Sequence, residues 1–162
     1  MKNRVVIVGA KGFVGNAIAS ALQSQNHTVI KVSKADINLL ETSSIKKLNN
    51  IIKDGDVVVF VSAIAPCKDL DQFSKNLTIA KNFISALSNK NISHLLNISS
   101  DAVYSDSIKK INENSSVYPN SIHGSMHLMR ETLLRSFFGN SLTIIRPTLI
   151  YGTNDPHNSY GP

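Results

Sequence analysis

A single cysteine, Cys67, in a chain of 162 residues rules out an intrachain disulfide and fits a reducing compartment. Long apolar runs are missing too. No stretch approaches the ~20 residues that cross a bilayer, and the apolar run in MKNRVVIVGAKG stops after Val8, too short for the core of a signal peptide. Charged residues make up only 17% of the chain and are dispersed, the longest basic runs being the pairs Lys46-Lys47 and Lys109-Lys110. The net charge of +6 can draw phosphate-bearing ligands in general. It forms no stripe with interleaved aromatics, so nucleic acid is not an expected partner. Internal repeats and low-complexity linkers are lacking. Together these absences predict a cytoplasmic protein with neither membrane nor nucleic acid as partner.

What the chain does have is 42% hydrophobic residues, enough at this length for one domain with a sizeable core. Near-continuous apolar, β-branched runs at 5–8, 28–32, 57–61, 95–99 and 142–145 read as buried strands, the pattern of parallel strands covered on both faces. Helical spacing fills 13–25, 43–53, 70–89 and 121–138. The alternation predicts a three-layer α/β/α domain around a doubly wound parallel sheet of Rossmann type. The polar segment 105–121, which contains Pro119, reads as a surface loop. The tail YGTNDPHNSYGP has no period.

In VVIVGAKGFVGNAIASAL, three glycines in phase, Gly9, Gly12 and Gly15, leave a strand and open a helix. A tight turn, a close backbone approach to a pyrophosphate and a helix packed hard on its strand each demand a small residue. The amides at the helix start, around Phe13 and Val14, then face the anion. A strand-to-helix turn that merely tolerates glycine is the plainer alternative. A P-loop is disfavoured because no Gly-Lys-Ser/Thr follows.

With its Gly-x-x-Gly-x-x-Gly spacing the chain resembles the extended short-chain dehydrogenase/reductase superfamily, the branch of sugar-nucleotide epimerases, dehydratases and reductases. The resemblance covers essentially the whole chain. VVFVSAIAP is similar to the strand that passes beside the cofactor, which places Ser62 and Ala63 near the adenosine. NISSDAVYS resembles the Ser-Ser-x-x-Val-Tyr signature, which implies Ser100 as the catalytic hydroxyl with Asp101 beside it on the substrate side. IIRPTLIYG resembles the Arg-Pro-x-x-x-Tyr-Gly segment, implying Pro147 at the cofactor and Arg146 toward a substrate phosphate. DPHNSYGP resembles the substrate loop that would carry His157 and Tyr160. The resemblance implies a nucleoside-diphosphate sugar as substrate and a homodimer through helices that include 121–138. It also implies that residues 1–162 form the NAD(P)-binding domain, with the family's small C-terminal substrate domain absent or truncated.

An acidic residue after the second strand would read the ribose 2′-hydroxyl of NAD. Here Ser33 and Lys34 follow instead, and a lysine suits the 2′-phosphate of NADP, although a solvated lysine at a strand end is the alternative. Asp36 resembles the family's adenine-contacting aspartate, with a turn cap as its plainer reading. The short link 34–39 is more similar to the dTDP-4-dehydrorhamnose reductases than to typical epimerases.

The catalytic helix of the family carries Tyr-x-x-x-Lys, in which the tyrosine exchanges a proton with the substrate oxygen and the lysine holds the nicotinamide ribose. Counting from Pro119, PNSIHGSMHLMRE puts His123 at the tyrosine and His127 at the lysine. Tyr118 cannot supply the motif, because the fourth residue after it is Ile122. Residues four apart on a helix point the same way, so both imidazoles are expected at one cavity. Ile122, Met126, Met129, Leu133 and Phe137 form the expected core stripe, with the histidines at its edge. Gly124 and Ser125 are expected to leave room for a ligand. Three readings stay open. His123 can act as acid/base with His127 on the cofactor ribose. The pair can bind a metal, although neither an intervening glutamate nor a third ligand is evident. Or the site binds a dinucleotide without efficient hydride transfer. Cys67, with only Lys68 as a basic neighbour, reads as a bystander.

Overall fold

The structure, a computed structural model, describes residues 3–106, 110–153 and 155. Strands β1 (Arg4–Val8), β2 (Thr28–Val32), β3 (Val57–Phe60), β4 (His94–Ile98) and β5 (Leu142–Ile145) alternate with helices α1 (Phe13–Ser24), α2 (Ser43–Ile51), α3 (Leu70–Leu87) and α4 (Ile122–Phe138). Strand β1 starts one residue before its apolar run because the Arg4 guanidinium is anchored, ion-paired with Asp56 and bonded to the Ile51 carbonyl at 2.9 Å. An isolated antiparallel bridge ties Val117, in the segment expected as a loop after β4, to Tyr104 just before it.

All five strands are parallel, in the order β2-β1-β3-β4-β5. Strand β1 lies at the centre of the first crossover pair, with Val5 in register with Val29 on one side and Val57 on the other. Its residues Val5 to Val8 are all buried, which explains why the run is continuous rather than alternating. One face of the sheet packs against α2, α3 and α4 through Leu48, Phe83 and Leu134, and the Phe60 and Phe83 rings stack with centroids 3.9 Å apart. Each such buried aromatic contributes about 1.5–3 kcal/mol by leaving water. On the other face, α1 covers Val5, Ile7 and Val59 through Ala19, while Ile145 on β5 stays 40% exposed. Among the described residues no helix is long and apolar enough to cross a membrane.

The strand order reverses between β1 and β3, and in open parallel sheets that reversal opens a crevice at the carboxyl ends. Here the two ends are knitted together, because the amides of Val61 and Ser62 both donate to the Val8 carbonyl, at 2.9 and 3.0 Å.

Candidate active site

A cavity of about 580 Å³ occupies that crevice. Its walls are the turn after β1, the ends of β2, β3 and β4, and the start of α4, with Pro147 closing the far side.

The turn after β1 is built for close approach. Gly9 has φ +101°, a conformation that side chains rarely adopt, and a Cβ there would lie 2.7 Å from the Ser62 nitrogen. The amides of Gly9 and Ala10 donate to the Val32 carbonyl, tying the turn to β2. Gly12, Phe13 and Val14 line the cavity. Gly15 does not, since its missing side chain leaves α1 free to rest on the Gly9 carbonyl. Helices α3 and α4 are capped by the side chains of Asp69 and Ser121, but α1 has no side-chain cap and no acid in its first turn. Its unsatisfied amides and dipole end therefore suit an anion in the cavity.

At the β2 end, Ser33 and Lys34 line the cavity, joined by Lys11 from the glycine turn. Asp36 does not line it. Its carboxylate accepts from the Ser33 amide at 2.9 Å and hydroxyl at 2.5 Å, and these bonds hold its pKa below the usual carboxylate range. Asp36, expected at the adenine, caps the 33–36 turn through both of these bonds. At the β3 end, Ser62 and Ala63 line the cavity. Two buried asparagines of α3 shape these walls without being legible as site residues. Asn76 takes the Ile64 amide and donates to the Ile64 carbonyl, each at 2.9 Å, and Asn82 donates to the Leu39 carbonyl at 2.8 Å.

At the β4 end, Ser100 lines the cavity and also caps the following turn by accepting from the Ala102 amide at 3.1 Å. Its neighbour Asp101 does not line the cavity, and its amide bonds the Pro147 carbonyl at 3.1 Å. Arg146, expected toward a substrate phosphate, is engaged within the protein. Its guanidinium donates to both Glu131 oxygens at 2.9 and 2.6 Å and to the Tyr104 hydroxyl at 2.7 Å, which commits it inside the protein and raises its pKa. His157, with Tyr160, lies outside the described residues.

His123 and His127 both line the cavity, their rings meeting edge to face with centroids 4.7 Å apart. His127 lies on the buried face of α4, whereas the half-buried His123 lies at its edge. That face consists of Gly124, Met126, His127, Arg130, Glu131 and Leu134, whereas Met129 and Phe137 of the expected stripe are 44% and 64% exposed. Distant residues engage the buried charges, leaving only the Nε of Arg130 without a partner among the described residues. Arg146 pairs with Glu131, while Arg130 donates to the Ser62 carbonyl at 2.7 Å and sits 4.8 Å from the Phe60 ring centroid. Gly124 likewise answers to packing and not to a ligand, because a Cβ there would drive into the Ala102 carbonyl.

His127 is only 6% exposed, and burial, with lesser contributions from Arg130 and His123, lowers its pKa to about 3. Burial also lowers that of His123, against the opposing charge of Asp101. Neither nitrogen of His127 has a partner among the described residues, so a nine-tenths buried polar ring faces the cavity with its hydrogen-bonding capacity unspent. Hydroxyls of a ribose fit that position, and the uncapped start of α1 fits a diphosphate. Among the described residues, no three His, Cys, Asp or Glu side chains gather as a metal site.

A curated relative, the N-acetyl-alpha-D-glucosaminyl-diphospho-ditrans,octacis-undecaprenol 4-epimerase of Escherichia coli O157:H7, is 24% identical over 99% of this chain and 53% of its own length. The chain therefore spans about half of that protein. A dTDP-4-dehydrorhamnose reductase from Clostridium acetobutylicum superposes with a TM-score of 0.80 at 25% identity, over 94% of this chain and 55% of the other. The UDP-N-acetylglucosamine 4-epimerase of Bacillus cereus shares the fold with a TM-score of 0.81 at 22% identity, over 95% and 58%. A family model matches residues 5–161. The chain belongs to the NAD dependent epimerase/dehydratase family.

Proposed function

We propose that this chain forms the NAD(P)-binding part of a sugar-nucleotide oxidoreductase or epimerase-like protein that acts by hydride transfer at a sugar carbon. The observation that carries this reading is one continuous cavity, running from the uncapped start of α1 past Ser62 and Ala63 to Ser100, His123 and His127. The diphosphate rests on Gly12, Phe13 and Val14. The adenosine lies between the 33–40 and 61–65 walls, and His127 bonds the nicotinamide ribose. When bound, the dinucleotide supplies the hydride chemistry that no side chain here can perform. Ser100 and His123 face the sugar oxygen of a nucleoside-diphosphate sugar.

NADP is the preferred form. Lys11 and Lys34 both reach the cavity, and the one carboxylate of the 33–36 turn is taken up by Ser33. Calorimetric titration with NADPH and NADH tests the reading. Binding of both, tighter for NADPH, is expected, and no heat from either at millimolar concentration overturns it.

A second reading, a dinucleotide-binding module without turnover, is favoured by the low pKa of His127, which leaves no cation where the related enzymes place a lysine. Positioned acid–base groups contribute roughly 10²–10⁴ in rate. Assays of keto-sugar nucleotide reduction separate the two readings. Turnover by the natural chain supports the enzyme, whereas an inactive natural chain that gains turnover in the double variant His123→Tyr/His127→Lys supports the module. The partner of the exposed α4 face, with Met129 and Phe137, is a second copy of this chain. Sedimentation as a monomer at micromolar concentration counts against that.

A further inference from the structure

The tautomer of His123 is set from outside its own helix. The Cys67 amide, on the loop between β3 and α3, lies 3.2 Å from His123 Nδ1. A backbone N–H can only donate, so Nδ1 presents a lone pair there, and the neutral ring carries its proton on Nε2. Making the imidazolium would place a second N–H against the first and break that bond. The ring lines the cavity and Nε2 has no partner among the described residues, so Nε2–H is the one polar group the ring still has to offer a ligand.

The charged and titratable neighbours differ in sign. From α4, the His127 ring packs edge to face against it, with Arg130 buried one turn further on. From the turn after β4, Asp101 favours the imidazolium, but burial outweighs it. From the 67–69 loop, the Cys67 thiol is turned to the Asp69 carbonyl at 3.7 Å, and burial keeps it protonated.

Resting on the reading above, we propose that His123 is a fixed neutral hydrogen-bond donor, offering Nε2–H to an acceptor oxygen of the ligand, and that Cys67 is the positioning residue that imposes this through its backbone. The ligand atom at this point is then a carbonyl or hydroxyl oxygen accepting a hydrogen bond. It is not a group that trades its proton with the ring, because such exchange requires the imidazolium. The position that matches the family's tyrosine would therefore polarise an oxygen without serving as its acid.

Nitrogen-15 NMR of the ligand-free protein tests this without reference to turnover. The expected spectrum shows His123 as the Nε2–H tautomer, with a through-hydrogen-bond coupling between the Cys67 amide nitrogen and Nδ1. Its ring signals should titrate only below the ordinary histidine pKa of ~6.5. A Cys67→Ala variant keeps the amide and should keep both the tautomer and the coupling. Titration of His123 at or above the ordinary value, an Nδ1–H tautomer, or a tautomer change in Cys67→Ala each overturns the proposal. Failure of NADPH to bind would sink the functional reading while leaving this spectrum untouched, so the two can fail separately.

Discussion

Acid should unfold this protein early, and His127 should account for a measurable share of that. In the folded chain its pKa is about 3, whereas in the unfolded chain it returns to ~6.5. Between those values the unfolded state binds a proton that the folded state refuses, so stability falls as the pH falls. The contribution is fully present above pH ~6.5 and is lost on descent toward the folded pKa. Each pH unit within that window costs about 1.4 kcal/mol. At about pH 4.5 the deficit is roughly 2–3 kcal/mol, a large part of the 5–15 kcal/mol typical of whole domains.

Urea denaturation at a series of pH values, on the natural chain and on His127→Gln, isolates this effect, because glutamine takes no proton and the other groups titrate in both proteins. With a slope of about 2 kcal/mol per M, the natural chain should lose about 1 M more of its urea midpoint than the variant between about pH 7.5 and pH 4.5. Parallel pH profiles for the two proteins would refute the idea that His127 is held neutral by its surroundings.

The packing and specificity arguments can be checked in the same way. Gly124→Ala forces a Cβ into the Ala102 carbonyl, so thermal unfolding should come about 2–12 °C earlier, given an overpacking cost of about 1–3 kcal/mol and roughly 2–4 °C per kcal/mol. An unchanged midpoint would mean the helix does not rest on that turn. Glu131→Gln leaves Arg146 without its counter-charge and should cost about 3 kcal/mol in urea unfolding. A loss below about 0.5 kcal/mol, the size of an exposed pair, would show that the ion pair is not sequestered. Lys34→Glu should weaken NADPH about tenfold, some 1.4 kcal/mol, and leave NADH unmoved. Equal weakening of both would remove Lys34 from the 2′-phosphate.

The strands and the glycine turn were legible in the sequence because both are local. A strand buried on two faces must be apolar throughout, as Val5 to Val8 are, and a turn with φ +101° at Gly9 admits little but glycine. The buried face of α4 was not legible, because apolar periodicity assumes that charges point outward. Arg130 and Glu131 point inward, and what permits it comes from far along the chain: the Ser62 carbonyl, the Phe60 ring and Arg146. Asn76 and Asn82 escaped notice for the same reason, since each fixes a wall residue 12 or 43 positions earlier. Nor does any side-chain pattern announce the Cys67 amide, whose contribution to the site is made by backbone.

The two departures on α4 belong together electrostatically. Arg130 is 1% exposed, pairs with no carboxylate among the described residues, and burial lowers its pKa only to about 10, so it stays charged at neutral pH. It lies three residues beyond position 127, on the same face of the helix. A lysine at 127 would set a second cation beside it in a poorly solvated place. For two charges about 6 Å apart, at an effective dielectric of about 20, that repulsion is roughly 3 kcal/mol. A neutral imidazole avoids it while still offering hydrogen bonds to a ribose. A neutral His127 therefore sits beside Arg130 at a lower electrostatic cost than a lysine would, a cost of roughly 3 kcal/mol that the His123→Tyr/His127→Lys variant has to bear.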